Sequence, residues 1–113
     1  MLLDAWHPVA WSQQLQEGRV QAARLLGQDL VLWRSQGKAM AWKDLCVHRG
    51  TRLSLARVEQ HCLVCPYHGW RYASHGRCVL MPSHPGQEPP EKARATTFAC
   101  RESGGILWAS LGK

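Results

Sequence analysis

Two short cysteine–histidine boxes constrain this chain more than any other feature. The first reads Cys46-Val47-His48 and the second Cys65-Pro66-Tyr67-His68, with sixteen residues between His48 and Cys65. Each box offers one thiol and one imidazole, ligand types suited to iron or zinc. A fold that uses both must bring two separate loops to one point. Gly50 stands just after the first His and Gly69 directly after the second. Glycine lets the backbone approach a bound group closely enough for its N–H to donate.

The segments around the boxes read as short strands. Val20–Leu26, Leu30–Arg34 and Lys38–Lys43 are strand-like, with Ser35-Gln36-Gly37 as a hairpin turn. His61–Val64 is a short apolar run expected to be buried. Trp70–Ser74 and Arg77–Met81 flank a His75-Gly76 turn, and Thr96–Arg101 and Ile106–Ser110 flank Ser103-Gly104-Gly105. Ser12 is placed to cap a short helix over Gln13–Gln16, ended by Gly18. The prolines from Pro82 to Pro90 mark an extended loop, since proline donates nothing to a sheet ladder. The expected fold class is all-β, a small barrel or pair of stacked antiparallel sheets carrying two ligand loops. With 113 residues, no repeat and no internal linker, residues 1–113 are expected to form a single domain. Six Trp in so short a chain suggest a core built on large flat side chains.

Charge and composition narrow the partners. The formal net charge is +6, but the basic residues are scattered, so no nucleic-acid partner is expected and an acidic protein partner is. The start, Met1-Leu2-Leu3-Asp4, lacks a basic leader and an apolar core of a secretory signal, and no apolar run reaches membrane-spanning length. The expectation is a cytoplasmic protein with no membrane partner. Disulfides are rare there, so the five cysteines are better read as metal ligands or small buried residues.

The donor set has a direct chemical reading. A [2Fe–2S] rhomb needs two protein ligands per iron, and in a Rieske centre one iron takes two Cys and the other two His. Here Cys46 and Cys65 would hold the inner iron, with His48 and His68 on the outer one. Other readings stay open at this point. A Cys2His2 zinc site uses the same ligand types, although common zinc spacings pair like with like as C-x2-C and H-x3-5-H. Cys62-Leu63-Val64-Cys65 is formally a C-x2-C, and a chance match without metal is a further alternative. Cys78 and Cys100 are read as buried small hydrophobes, and His61 as a hydrogen-bonding core residue.

Nearly the whole chain, Trp6 to Gly112, resembles the N-terminal Rieske domain of ring-hydroxylating, Rieske non-haem iron oxygenases. Cys46-Val47-His48-Arg49-Gly50 is similar to that family's C-x-H-R-G box, and Cys65-Pro66-Tyr67-His68-Gly69-Trp70 to its C-P-Y-H-G-W box. The resemblance implies a Rieske-type iron–sulfur fold and one [2Fe–2S] cluster per chain on Cys46, His48, Cys65 and His68. It also implies a third loop, Pro82–Pro90, over the cluster. Rieske proteins of the bc type carry an extra Cys in each box. Thr51 and Tyr67 stand at those positions here, and Trp70 replaces a hydroxyl residue, which implies a lower potential. Tyr72 remains as a possible donor to the cluster.

The family's oxygenases continue into a domain with a mononuclear iron on two His and one carboxylate. No such set can be assembled from His7, His61, His75 and His84. The resemblance therefore implies an oxidoreductase component without a catalytic residue of its own. It would take single electrons from a flavin reductase or ferredoxin and pass them to an oxygenase catalytic domain. A stand-alone Rieske ferredoxin is the alternative, and a structural zinc module a more distant one.

Overall fold

Strict alternation along two central strands organises the molecule. In the computed structural model, which describes residues 4–46, 51–66, 69–82 and 86–112, β3 (Gln28–Ser35) and β4 (Lys38–Lys43) form a hairpin buried on both faces. Successive side chains on a strand point to opposite faces. Val31, Trp33, Met40 and Trp42 therefore enter one core, which also holds Cys46, Leu53, Leu63, Cys65, Tyr72 and Cys78. Leu30, Leu32, Ala39 and Ala41 enter a second core with Leu15, Leu25, Leu107 and Ala109.

The second core is the inside of a nearly closed six-stranded antiparallel barrel. Its other strands are β1 (His7–Trp11), β2 (Val20–Leu25), β9 (Thr97–Ser103) and β10 (Ile106–Ser110), in the order β1-β10-β9-β4-β3-β2. Two-residue turns join β2 to β3 and β3 to β4. Leu26 and Gly27 have φ of 51° and 81°, and Gln36 and Gly37 have 53° and 77°, the left-handed pair that suits a tight hairpin. Arg34 is buried in this barrel but fully employed. Its guanidinium donates to both carboxylate oxygens of Glu102 at 3.0 and 2.9 Å and to the carbonyl of Gly37 at 3.1 Å.

The first core lies between the hairpin and a four-stranded antiparallel sheet. That sheet is β5 (Arg57–Glu59), β6 (Cys62–Val64), β7 (Arg71–Tyr72) and β8 (Cys78–Leu80), paired in chain order. The all-β expectation and the β2–β4 and β9–β10 hairpins agree with the sequence reading.

Four local expectations need correction. The helix over Gln13–Gln16 is a single 3-10 turn at Ser12–Gln14, without a cap from the Ser12 side chain; the Gln14 amide oxygen instead accepts from the Trp11 N–H at 3.3 Å. His61 is exposed, not a core residue. It sits with Gln60 in the β5–β6 turn at φ of 66°, and its Nδ1 lies 3.3 Å from the Ser35 hydroxyl. Only Trp33 and Trp42 are fully buried, while Trp6 and Trp11 are exposed. Arg101 lies over the Trp6 ring, 4.5 Å from its centroid, a contact that keeps the ring at the surface. Finally, β1 and β5 were not expected as strands: Pro8 disguises the first, an edge strand of the sheet, and three residues are too few to show a period.

Candidate metal centre

Both boxes begin where a strand stops. Cys46 follows β4 after Asp44 and Leu45, and Cys65 directly follows β6. Each cysteine then closes its own loop by a backbone bond to the fifth residue on. The Cys46 N–H donates to the Thr51 carbonyl at 2.7 Å, and the Cys65 N–H donates to the Trp70 carbonyl at 2.8 Å. Two matched loops thus leave the same core, a pairing that the sequence spacing alone did not reveal.

Both sulfurs point inward. Cys46 and Cys65 are 1% and 0% exposed and belong to one contiguous core. The Tyr72 hydroxyl lies 3.1 Å from the Cys46 sulfur. Burial, and after it the Cys46 contact, pushes the Tyr72 phenol far above its ordinary range, so it stays a proton donor. Its ring meets Trp42 edge to face at 6.3 Å, and Trp42 meets Trp33 in the same way at 5.0 Å. This aromatic wall fixes the hydroxyl on the sulfur.

His48 and His68 lie outside the described residues, as do Arg49, Gly50, Tyr67 and His84. The structure therefore brings together Cys46 and Cys65 from the four expected ligands. Among the described residues, no group of three or more His, Cys, Asp or Glu gathers as a metal site. His7 lies in β1, and His61 and His75 occupy exposed turns. Cys62 is half-exposed and outside the core that holds Cys46 and Cys65, which weakens the C-x2-C reading. Cys78 is wholly buried and donates weakly to the Leu80 carbonyl; burial pushes its thiol up, as expected of an inert hydrophobe. Cys100 is half-buried, with its thiol likewise raised by burial.

Residues 83–85 of the expected third loop lie outside the described residues, and Pro82, at its start, stands near Gly69. A Cβ on Gly69, which has φ of 69°, would lie 3.4 Å from the Pro82 ring. The described donors fit a cluster with two thiolate ligands on one iron. Both cysteines share one buried core, and a phenol hydroxyl lies within hydrogen-bond distance of one sulfur. Among the described residues no helix is long and apolar enough to cross a membrane.

Comparison with known proteins agrees with this geometry. The family model described as the Rieske [2Fe–2S] domain matches residues 5–99. The oxidoreductase NdmD of Pseudomonas putida is 41% identical over 113 residues, covering 98% of this chain and 19% of that protein. Methylxanthine N1-demethylase NdmA of the same species is 38% identical over 111 residues, covering 94% of this chain and 32% of that protein. The solved structure of NdmA superposes with a TM-score of 0.92 at 37% identity, over 97% of this chain and 35% of the other. A chain in the oxygenase and ferredoxin complex of carbazole 1,9a-dioxygenase gives 0.85 at 29% identity, over 96% and 29%. The chain spans about a third or less of the relatives it matches.

Proposed function

The chain belongs to the Rieske [2Fe–2S] domain family, and on that premise we propose that residues 1–113 act as one electron-transfer domain of a Rieske oxygenase system. Cys46 and Cys65 are the thiolate ligands of the inner iron, and His48 and His68 the imidazole ligands of the outer one. Bound there, a Rieske cluster takes up and releases one electron at a time. The chain's own residues set the conditions. The β3–β4 wall and the four-stranded sheet keep water from the two sulfurs. With Cys46 bound as a thiolate, the Tyr72 hydroxyl, 3.1 Å from its sulfur, would donate to it and stabilise added negative charge.

The observation that carries this reading is the pair of buried sulfurs, each at the root of a loop closed by the same backbone bond. The electron donor is a flavin reductase or a ferredoxin, and the acceptor is a mononuclear iron on an oxygenase catalytic domain outside this chain. The likeness to a complex that contains a ferredoxin supports the donor.

The test is visible absorption, EPR of the reduced protein, and iron and sulfide content. A Rieske spectrum with two irons per chain is expected. A colourless protein loaded with zinc would refute the reading. The likeness to a protein named as an oxidoreductase, NdmD, leaves room for a second reading, a stand-alone Rieske ferredoxin that carries electrons. Coding sequence beyond Lys113 that supplies a two-His, one-carboxylate iron site favours the first reading, and its absence favours the second.

A further inference from the structure

The two loops are rooted differently. The second has a β-ladder at its neck: Val64 pairs with Arg71 in the β6–β7 register, immediately outside the Cys65–Trp70 bond. The first has none. Its near side is the end of β4, but its far side leads into a 3-10 turn at Leu53–Leu55 rather than a partner strand.

A buried carboxylate spans that gap. The Asp44 side chain is 0% exposed. Its Oδ1 accepts from the Ser54 N–H at 2.6 Å. Its Oδ2 accepts from the Ser54 hydroxyl at 2.7 Å and from Arg52 Nη2 and Nε at 2.9 and 3.1 Å. The Asp44 N–H in turn donates to the Asp29 carbonyl of β3 at 3.1 Å, and Arg52 also reaches the Asp29 carboxylate at 3.7 Å. The residue two before Cys46 thus grips the residues one and three beyond Thr51, and the whole knot is anchored to the barrel. Burying a carboxylate is costly unless donors saturate it, and here four do.

We propose that Asp44 is the positioning residue of the first ligand loop, replacing the missing ladder and holding the Cys46 sulfur at a fixed place for the inner iron. The proposal rests on the Rieske reading above. Asparagine keeps the shape but presents an N–H2 where an acceptor is needed, and it removes the charge that makes these bonds strong.

The test compares the parent protein, purified with its metal, with Asp44→Asn, Ser54→Ala and Glu102→Gln. Glu102→Gln serves as a control because it breaks a carboxylate–guanidinium pair on the barrel, between the exposed Glu102 and the buried Arg34, away from the loops. Iron loss to a ferrous chelator, the EPR signature of the reduced protein and thermal melting are read on each. Asp44→Asn is expected to lose iron about tenfold faster with a broadened EPR signal, as the loss of charge-assisted bonds implies. Ser54→Ala should move in the same direction by less, and it decides the matter if Asp44→Asn does not fold. Glu102→Gln should melt earlier with little change in iron loss. Iron loss unchanged in the loop variants, or rising in step with lowered melting temperature in all three, would overturn the proposal alone. A parent protein with no Rieske spectrum would overturn the reading beneath it as well.

Discussion

Replacing Tyr72 by Phe isolates one atom's effect on the centre. The ring is wholly buried and packed on Trp42, so phenylalanine keeps the contacts and deletes only the hydroxyl 3.1 Å from the Cys46 sulfur. A hydrogen bond to a charged group is worth about 1.5–3 kcal/mol. Reduction adds one negative charge that spreads over the irons, sulfides and ligands, so only part of that energy, about 1 kcal/mol, separates the two redox states. For a one-electron couple this corresponds to about 40 mV. The bond is stronger in the more negative, reduced state, and its loss therefore lowers the midpoint potential. A redox titration followed by visible circular dichroism measures the shift at a pH where the Tyr72 phenol is protonated. A midpoint that stays put or rises, in a variant with an intact spectrum, would refute the argument that Tyr72 donates to Cys46.

Three further outcomes follow from the described geometry. Cys46→Ser and Cys65→Ser should each abolish the visible spectrum, whereas Cys78→Ala should keep it despite lying in the same core; iron content distinguishes them. Gly76→Ala should cost roughly 2–3 kcal/mol, because φ is 96° and the new methyl would stand 2.7 Å from the Thr97 side chain; a thermal melt should fall by about 10 °C. The Glu102 carboxyl is held below its ordinary range by its hydrogen bond to Arg34. A depressed carboxyl stabilises the fold above its unfolded value, about 4.3, and loses that contribution as pH falls through the lower folded value. The gap in melting temperature between the parent and Glu102→Gln should therefore be constant at neutral pH and close in acid.

The hairpins were legible because their signals are local. Gly27, Gly37 and the Gly104-Gly105 pair sit where tight turns need positive φ, and the strands between them alternate or run apolar. β2 ends one residue before the sequence pattern predicts, because Leu26 adopts a left-handed conformation that sequence does not advertise in a leucine. The two buried cysteines were legible from box chemistry, which depends on residue type and spacing. The Asp44 knot was not. Asp44, Arg52 and Ser54 match no motif, and what unites them is that the far side of the first loop leads into a 3-10 turn rather than a strand, a fact of tertiary structure. Burial of the six tryptophans was equally hidden. Composition gives their number, but Trp33 and Trp42 are inside because they share one face of one hairpin, and Trp6 is outside beneath an arginine.

The β3–β4 hairpin serves both cores, one on each face, and so acts as a party wall. Neither room can be emptied without exposing its other tenant's partition. The barrel is then no inert pedestal that survives while the loops loosen. Trp33 and Trp42 share one core with Cys46 and Cys65 on one face, and the same backbone carries Leu30 and Leu32 on the other. On the proposed reading, cluster loading should couple to barrel stability, so that the protein melts in a single transition whose midpoint rises with cluster occupancy.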